Sequence, residues 1–308
     1  MVLKNYLLYL YVESPLHAGG SETEGSVDLP IQREAATGYP VVWGQSLKGA
    51  LRQFARDAGW GDTDKEGALL DEVFGKMAGG DGDPGVNTTA GLLSVGDAQL
   101  LALPVPTLRS TFAWATSALA LNRLARKHAY AHTGRDLPVV PQVKETEGVC
   151  ATAEWHDQGQ VLGPCLVKVD HPRKGEANRV AAWAELISKE GIGAEPHMAV
   201  PAAKFHDDLL VVGADVMSHL VRECTEHSVR IQLDPRTKTV KQGPFTSEYL
   251  PAETLLVSAL ALREDRGNHA RHRERLRELL HGAVLQIGGD ETLGKGLVWA
   301  RLVEAPDE

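Results

Sequence analysis

The sequence predicts an α+β fold, organised as one compact domain with insertions. An apolar run at residues 3–13 predicts a buried first strand, and two runs around a glycine-rich turn at 284–303 predict a final pair of strands. Amphipathic segments between these strands predict helices. Because the first and last strands flank the rest of the chain, we expect one domain with insertions instead of two domains in series.

The composition is that of a globular protein of ordinary charge. The chain has 308 residues, of which 43% are hydrophobic and 24% charged. At about 150 residues per domain, this length corresponds to one or two domains and can bury a substantial core. The charged fraction excludes wholesale disorder. The net charge of −9 excludes a uniformly basic nucleic-acid-binding protein but permits a locally basic surface.

The cysteines and the apolar runs bear on the cellular compartment. Cys150, Cys165 and Cys224 are widely spaced and form no CxxC pair, so the sequence supports neither a disulfide framework nor a structural zinc site. We therefore expect a reducing, cytoplasmic location. The apolar run from Tyr6 to Val12 is too short to span a bilayer, so no membrane partner is expected.

Between the flanking strands, periodicity predicts an alternation of helices and strands. In chain order, the predicted elements are a helix at about 46–58, a strand-like run at 92–103, helices at 111–130 and 213–227, a hairpin at 229–242 around DPRT, and a polar helix at about 253–281.

Two of the predicted insertions are loop-rich. Residues 57–91 form an acidic insertion, because eight acids against two lysines between 57 and 85 contribute −6 of the −9. Within it, residues 79–91 have the glycine-rich composition of an exposed loop. Residues 133–212 are predicted to be an irregular insertion, since several prolines interrupt their first part.

The third insertion is a basic hairpin at 229–249. Its first 14 residues, 229–242, contain four cations against Asp234 alone, a net +3 in a chain of −9. The cations are Arg230, Arg236, Lys238 and Lys241. An exposed tip gains little stability from unpaired charge. We therefore predict that this tip projects towards a polyanion.

The helix at 46–58 carries a candidate phosphate-binding surface. Ser46 is predicted to be its N-cap. Lys48, Arg52 and Arg56 follow at i, i+4 and i+8, which places them in one basic stripe. A helix N-terminus with a lysine one turn into the helix attracts phosphate. The alternative is a solvated basic face without a ligand.

A glycine-rich segment near the C-terminus is a second candidate. Gly289 to Lys295 matches the GxxxxGK pattern of a phosphate-binding loop, but Gly296 stands where the pattern needs Ser or Thr. The following residues alternate like a strand instead of opening a helix, so an ATPase is rejected. What remains is a glycine loop, with Gly294 and Gly296 on either side of Lys295, which lets a polyanion approach main-chain amides. A plain hairpin turn is the alternative.

The third candidate is the segment at 17–34, HAGGSETEGSVDLPIQRE. Asp28 lies between two apolar residues on a predicted loop, with His17 and Arg33 on the same segment. A lone loop aspartate is most often a solvated or capping residue, which is the alternative to a catalytic role.

Together these segments resemble a known family. The chain is similar to the RAMP-superfamily backbone subunits of type III CRISPR effector complexes, above all to the subunit of the type III-B (Cmr) complex that cleaves target RNA. The most specific segments are PLHAGG, VDLPIQRE, TGYPVV and GQSLKGALR. VFGK, the segment at 94–117, RIQLDPRTKTVKQGPFTSEYLP and GGDETLGKGLV extend the resemblance along most of the chain.

The resemblance implies a fold and an assembly. Residues 1–308 would form a single RAMP domain with a modified ferredoxin-like (RRM-like) core, and the insertions would form a palm and a thumb. Copies would stack head-to-tail along a guide RNA, together with other Cmr-complex subunits. Each copy would cleave complementary single-stranded target RNA at regular intervals as a metal-dependent endoribonuclease, active in the assembled complex. The metal would be Mg²⁺ or Mn²⁺.

The resemblance also implies the site residues. The catalytic aspartate maps to Asp28, which would bind the metal together with RNA oxygens and water, or would help to deprotonate the 2′-hydroxyl. Other catalytic residues map to His17, Glu248 and Tyr249, although Ser247 stands where relatives can carry another acid. The RNA-binding residues are predicted instead from the capped basic helix, the glycine loop and the charged hairpin tip, and they are Ser46, Lys48, Arg52, Gly289, Gly294, Lys295, Gly296, Arg236 and Lys238.

Two alternatives belong to the same superfamily. One is a structural RNA-binding subunit that does not cleave, against which the presence of Asp28 argues. The other is the equivalent backbone subunit of the type III-A (Csm) complex, against which the VDLPIQRE and EYLP segments argue.

Overall fold

The structure is a computed structural model. It describes residues 2–20, 27–61, 67–76, 89–172, 178–264 and 269–305. The strands are β1 Val2–Val12, β2 Val41–Val42, β3 Gly75–Lys76, β4 Thr89–Ala90, β5 Leu93–Val95, β6 Ala98–Pro106, β7 Phe112–Ser117, β8 Glu147–Cys150, β9 Asp157–Leu162, β10 Cys165–Asp170, β11 Leu209–Val212, β12 Glu226–Leu233, β13 Val240–Tyr249, β14 Leu255–Glu264, β15 Ala283–Gln286 and β16 Leu297–Glu304. The α-helices are α1 Gly44–Ala55, α2 Gly67–Phe74, α3 Ala118–Tyr130, α4 Arg179–Ile187, α5 Ala199–Asp207, α6 Ala214–Glu223 and α7 His269–Leu280.

A twelve-stranded mixed sheet forms the frame of the molecule. Its order is β15–β16–β1–β14–β6–β7–β11–β8–β10–β9, with β2 paired to β6 and β5 paired to β14. All of these pairs are antiparallel except β7–β11 and β8–β10. The predicted first and last strands are confirmed, and they lie side by side because β1 pairs with β16.

Helices cover both faces of this sheet. Successive side chains of β1 point to opposite faces, so Leu8 and Leu10 enter one core while Leu7 and Tyr9 enter the other. Helices α1, α2, α6 and α7 pack on the first core, and α3, α4 and α5 pack on the second. This covering explains why β1 is an unbroken apolar run instead of an alternating one.

Two predicted helices are partly strands. The helix predicted at 111–130 begins only after β7, at Ala118, and is capped by Ser117, whose Oγ accepts a hydrogen bond from the Ala120 N–H at 3.2 Å. The helix predicted at 253–281 is strand β14 in its first part and helix α7 in its last. Both errors have one cause, because a short apolar run buried on two faces has no period that distinguishes a strand from a helix.

The insertion predicted to be irregular at 133–212 is mostly regular. It contains β8 to β11, α4 and α5, and its longest described stretch without a helix or strand is its first part, residues 133–146. Its strands extend the main sheet beyond β7. In the acidic insertion at 57–91, the structure describes α2, β3 and β4, whereas residues 62–66 and 77–88 lie outside the described ranges.

Helix α1 begins earlier than predicted. It starts at Gly44, whose N–H donates to Asp97 Oδ1 at 2.7 Å, and Ser46 therefore lies inside the first turn instead of capping it. Gly44 is required because a Cβ there would lie 2.4 Å from the Val95 carbonyl oxygen. The Ser46 hydroxyl accepts a hydrogen bond from Gln32 Nε2 at 3.4 Å.

The predicted hairpin is confirmed and is longer than expected. Strands β12 and β13 pair only with each other, from Glu226–Tyr249 at the base to Leu233–Val240 near the tip, with shifts of register between Arg230 and Leu233. Most of its residues are exposed until β13 reaches Ser247. The hairpin is therefore a projection from the molecule. Within the described ranges, no helix has the length and apolar content that a membrane crossing requires.

Candidate functional site

Four segments meet at the base of the hairpin. They are residues 14–20 after β1, residues 27–33, the end of β13, and the glycine loop, which we define as residues 287–296 between β15 and β16. Single backbone bridges join them: Leu16 to Leu250, His17 to Gly289, and Leu29 to Ser247. The topology thus brings together the PLHAGG, VDLPIQRE, EYLP and glycine-loop segments that are far apart in sequence.

Asp28 lies on the exposed edge of this junction. The backbone N–H groups of Asp28 and Leu29 both donate to the Thr246 carbonyl, at 3.1 and 3.0 Å. Asp28 Oδ2 accepts a hydrogen bond from the Thr246 N–H at 2.8 Å. Oδ1 has no hydrogen-bond partner among the described residues. The carboxylate is thus fixed along one side of β13 and open to a ligand on the other.

His17 is oriented by the main chain around it. Its Nδ1 lies 2.7 Å from the Glu248 carbonyl oxygen, which can only accept, so Nδ1 carries the proton. In the neutral ring, Nε2 is then an acceptor. A Cβ at Gly19 would lie 3.1 Å from Nε2, so a glycine there leaves this nitrogen uncrowded.

Tyr249 stands between His17 and the glycine loop. Its ring centroid lies 5.5 Å from that of His17, and Lys295 Nζ lies 5.1 Å from the Tyr249 ring centroid. Its hydroxyl donates to Asp290 Oδ2 at 2.7 Å. Burial and this hydrogen bond to Asp290 raise the pKa of Tyr249, so the phenol stays protonated at neutral pH.

Asp290 is a residue that sequence reasoning missed. Its Oδ1 accepts a hydrogen bond from Arg230 Nη1 at 2.8 Å, and Arg230 Nη2 donates to Ser247 Oγ at 2.6 Å. Burial acts to raise the pKa of Asp290, but the hydrogen bonds from Arg230 and Tyr249 outweigh it and hold the pKa below its usual value. The one available signal was an aspartate among glycines in a turn, since aspartate tolerates a positive φ.

Glu248 does not have the exposure that a catalytic carboxylate needs. It is 4% exposed, and its Oε1 pairs with Arg33 and accepts from the Thr225 hydroxyl at 2.8 Å. Its Oε2 accepts from the Ile31 N–H at 3.1 Å. These donors surround the carboxylate, so Glu248 ties residues 31–33 to β13. The structure thus argues against the chemical role that the resemblance implied for Glu248.

The basic stripe on α1 is not free. Lys48 Nζ donates to the Leu93 carbonyl at 2.9 Å, and Arg52 bonds to the Gly75 carbonyl and to Asp71 at 3.0 Å. Burial, with the nearby Arg263 and Arg52 charges, lowers the pKa of Lys48. These head groups hold α1 to its neighbours. These contacts weigh against Lys48 and Arg52 as phosphate ligands, an assignment that stays a prediction, and Ser46 does not occupy the N-cap position predicted for it.

The glycine loop has two kinds of glycine. Gly296 has φ +80°, and a Cβ there would lie 2.1 Å from the Ile287 carbonyl oxygen, so this glycine is needed for the fold itself. Gly294 has φ +72° and open space around it. Gly289 lies beside the His17 ring. An ordinary structural reason therefore accounts for Gly296, whereas Gly294 has room around it, although its N–H donates to the Glu291 carbonyl at 2.8 Å.

The hairpin tip presents two unpaired cations. Asp234 Oδ1 accepts from the N–H groups of Arg236 and Thr237, at 2.9 and 2.8 Å, which closes the turn. The side chains of Arg236 and Lys238 are exposed and have no polar partner in the described part of the chain. Both are thus available to a phosphate, as their sequence assignment requires.

At the base of the hairpin, Asp28 offers an open carboxylate oxygen to a metal ion. Among the described residues, no group of three or more His, Cys, Asp and Glu could hold a metal. Both oxygens of Asp290 are engaged, whereas Asp28 Oδ1 is open. Mg²⁺ commonly keeps several waters and takes only one or two carboxylates beside phosphate oxygens. The residues therefore fit a metal held mainly by RNA and water, and they do not fit a centre built from protein ligands alone.

Comparison with known proteins defines the family. The RAMP superfamily profile matches residues 9–299, so the chain belongs to the RAMP superfamily. Its curated relatives within that superfamily include two Cmr4 proteins of CRISPR systems. A Pyrococcus furiosus protein named CRISPR system Cmr endoribonuclease Cmr4 is 33% identical over 305 residues, which is 98% of this chain and 97% of that protein. A Saccharolobus solfataricus protein named CRISPR system CMR subunit Cmr4 is 22% identical over 330 residues.

Solved structures agree with the sequence comparison. The crystal structure of oligomeric Cmr4 from Pyrococcus furiosus matches with a TM-score of 0.72 and 30% identity, over 99% of this chain and 100% of that one. A chain of the type III-B Cmr-beta complex bound to cognate target RNA matches with a TM-score of 0.70 at 20% identity, over 97% of each chain. The fold is thus shared along essentially the whole length.

Proposed function

We propose that this chain is the backbone subunit of a type III-B CRISPR effector complex and cleaves target RNA. The observation that carries the proposal is the place of Asp28, an exposed carboxylate fixed at the base of a projecting hairpin with His17 and Tyr249 in the same junction. The name of the Pyrococcus furiosus relative, an endoribonuclease 33% identical over nearly the whole chain, supports the same function.

The chemistry that fits the site is an internal transesterification. The 2′-oxygen of a nucleotide attacks its own phosphorus, the bond from phosphorus to the 5′-oxygen breaks, and that oxygen takes up a proton. The products are a 2′,3′-cyclic phosphate and a 5′-hydroxyl. Attack needs the 2′-oxygen in line with the leaving oxygen, so the nucleotide must be held displaced from its helix.

Each residue of the junction has a separate role in this reaction. Asp28 Oδ1 accepts the 2′-hydroxyl proton or holds a metal against the phosphate, and these two modes remain alternatives. His17 Nε2 is an acceptor placed for the same proton or, when protonated, a donor to the leaving oxygen. Tyr249 is 2% exposed and donates its hydroxyl proton to Asp290, so its role is to hold the His17 ring and the glycine loop in place instead of contacting the nucleotide.

Metal dependence is part of the proposal. A Mg²⁺ or Mn²⁺ ion would take Asp28 as its protein ligand, with RNA oxygens and water completing its shell, and would neutralise charge that develops on the phosphate. Its support is the open Oδ1 of Asp28.

We infer a modified ferredoxin-like core from the strand order. Strands β16–β1–β14–β6 are adjacent and antiparallel, α1 lies between β1 and β6 in the chain, and α7 lies between β14 and β16. This order supports a β-α-β-β-α-β core. The single domain at 1–308, with insertions at 57–91, 133–212 and 229–249, remains our proposal for the domain plan.

The hairpin is our first candidate for the thumb, and residues from the 133–212 insertion are the second. The hairpin projects, carries Arg236 and Lys238 at its tip, and exposes Val229 and Ile231 along one strand. Phosphate contacts would grip a guide RNA without reading its sequence, which a changing guide requires. The glycine loop, through Gly294 and Lys295, would add contacts of the same kind.

The partners we propose follow from the assembly. They are a guide RNA, the complementary target RNA, head-to-tail copies of the chain and the other subunits of a Cmr complex. The oligomeric state of the Pyrococcus furiosus relative and the target-bound state of the type III-B complex support copies and target RNA. We also propose a cytoplasmic location, supported by three free cysteines. A non-cleaving scaffold and a Csm subunit are less well supported, because Asp28 is present and exposed and the relatives are Cmr proteins.

Reconstitution tests this function. The chain is assembled with guide RNA and the other subunits, and an end-labelled target RNA is added with and without a chelator. We expect cuts at regular intervals, products that end in 2′,3′-cyclic phosphate, and no cleavage with the chelator. Intact target binding without any cleavage would contradict the proposal and favour the scaffold.

A further inference from the structure

Asp290 connects segments that otherwise have few ties to one another. One oxygen of its carboxylate accepts from Arg230 on β12, and the other accepts from Tyr249 at the end of β13. Arg230 also reaches Ser247, so a single guanidinium spans both strands of the hairpin and the glycine loop. Asp290 and Arg230 are partly buried, with side chains 19% and 32% exposed. Such charge-assisted hydrogen bonds are stronger and shorter than neutral ones.

The position of the hairpin depends on such ties. Strands β12 and β13 pair with no other strand, so the main sheet does not fix their direction beyond the base. Asp28 is bonded to Thr246, next to the Ser247 that Arg230 holds. A rotation of the hairpin base therefore moves the Asp28 carboxylate with it.

We propose that Asp290 is a positioning residue for RNA cleavage, which acts by locking Arg230 and Tyr249 so that the hairpin base and the glycine loop form one rigid site. This inference rests on the proposed function of the chain. It assigns Asp290 no contact with RNA and no proton transfer. Its effect reaches the reacting groups through Tyr249 and through the β13 segment that bears Asp28.

Two routes lead from Asp290 to His17. Through the side chains, Asp290 fixes the Tyr249 hydroxyl, and the Tyr249 ring packs against the His17 ring. Through the main chain, the preceding Gly289 N–H donates to the His17 carbonyl at 2.9 Å. Lys295, in the same loop, lies over the face of the Tyr249 ring. The loop and the two rings therefore move together. Within the described residues, the bond from Asp290 to Arg230 is the only side-chain hydrogen bond or ion pair that joins them to β12.

The backbone at Asp290 decides which variants are informative. Its φ is +62°, which asparagine and aspartate tolerate better than alanine. Asp290→Asn keeps that conformation and one acceptor oxygen, but it removes the charge and cannot accept from both partners. Glu291→Gln is the matched control, because Glu291 is an exposed acid of the same turn without a polar partner among the described residues.

The test measures cleavage and binding separately in the reconstituted complex. At saturating target RNA, we expect Asp290→Asn to lower the single-turnover cleavage rate by about 10- to 100-fold, since small misplacements cost this much. Target affinity and the melting temperature of the chain should change little. Glu291→Gln should cleave as the wild type does.

A double variant separates positioning from general loosening of the fold. If Asp290 acts through Tyr249, Asp290→Asn combined with Tyr249→Phe should cleave little more slowly than the slower single variant. The inference would be overturned if the two substitutions together lowered the cleavage rate by the product of their separate effects. It would also be overturned by an unchanged cleavage rate in Asp290→Asn, or by a loss of rate that matched a loss of folded protein. No cleavage by the wild-type complex would instead overturn the proposed function, and this inference with it.

Discussion

Asp28 and Glu248 lie on segments bonded to each other, yet their surroundings give the two carboxylates different roles. Asp28 is exposed and uses one oxygen to hold Thr246. Glu248 is buried and receives three kinds of donor, from Arg33, Thr225 and Ile31. A carboxylate must reach solvent or substrate to do chemistry, so of these two carboxylates only Asp28 has the exposure that a reacting group needs.

We predict that Glu248→Gln lowers the stability of the chain. The change removes one charge of a buried pair and leaves Arg33 without its counter-charge, which costs about 3 kcal/mol in the free energy of unfolding. Urea denaturation of the isolated chain measures this loss. Asp28→Asn is the matched control and should unfold like the wild type. Equal stability of Glu248→Gln and wild type, with cleavage lost, would restore a catalytic role to Glu248.

A buried histidine outside the site should make stability depend on pH. His128 is 2% exposed and contacts the Tyr9 hydroxyl at 3.1 Å and the Thr133 hydroxyl at 2.9 Å. Burial, with the Arg135 charge, lowers the pKa of His128 to about 4. The unfolded chain therefore binds this proton more readily, at a pKa of about 6.5. Stability is complete above pH 6.5 and is lost as the pH falls towards 4.

We predict a slope of up to about 1.4 kcal/mol per pH unit from this histidine. Glu190, whose pKa burial raises, takes up a proton more readily in the folded chain and opposes the loss at the acidic end. His128→Gln should flatten the fall between pH 6.5 and 5, as measured by denaturant titrations at each pH. An equally steep fall in the variant would show that other groups are responsible.

At the scale of elements, the glycine loop and the hairpin have different tolerances to change. The loop is packed at Gly288 and Gly296 and open at Gly294, whereas the hairpin meets the core only at its base. Each element therefore offers a matched pair of variants.

We predict that Gly296→Ala destabilises the chain far more than Gly294→Ala. Both positions have positive φ, which costs a non-glycine residue about 1–2 kcal/mol. Only at Gly296 does the added Cβ also meet a carbonyl oxygen, that of Ile287, and overpacking of this kind adds roughly 1–3 kcal/mol. Thermal unfolding of the two variants measures the difference. Similar melting temperatures would contradict the close packing at Gly296.

We predict that a shortened hairpin tip impairs cleavage without unfolding the chain. Residues 235–238 are replaced by Asn-Gly, which forms a two-residue turn, because the Asp234 N–H already bonds to the Thr239 carbonyl at 2.8 Å. The complex should still bind guide RNA, whereas cleavage should fall by about tenfold or more because the nucleotide is held less well.

The matched control keeps the length and removes the charge, as Arg236→Gln with Lys238→Gln. If only the shortened hairpin loses cleavage, the length of the hairpin matters. If the shortened hairpin and the Arg236→Gln, Lys238→Gln variant both lose cleavage, the phosphate contacts of the two cations matter. Full cleavage by both variants would make the tip peripheral to the site.

At the scale of the whole molecule, sequence patterns predicted the frame better than the interior of the sheet. The first strand, the hairpin and the final strand pair have clear periods and turns, and each is present. Strands β7 and β14 were predicted as helix because they are buried on both faces and do not alternate. The strands within 133–212 were missed because their pairing is long-range, between β7 and β11 for example.

The site was predictable only in part, for a related reason. The sequence marks Asp28 as a loop aspartate, and the resemblance adds His17 and Tyr249. It does not show that Arg230 meets Asp290, because 60 positions separate these residues and only the fold joins them. Nor does it show that the cations on α1 are used internally. Periodicity places a side chain on a face, but tertiary contacts decide what that face meets.

The most direct measurement of the central claim is target cleavage by a complex assembled with Asp28→Asn. Asparagine keeps an acceptor for the Thr246 N–H, so folding and target binding should match the wild type. We expect the rate of cleavage to fall by at least about 100-fold, because the charged oxygen that acts as base or metal ligand is gone. Asp136→Asn, another exposed acid, is the control and should leave the rate unchanged. Cleavage at the wild-type rate and spacing by Asp28→Asn would contradict the account.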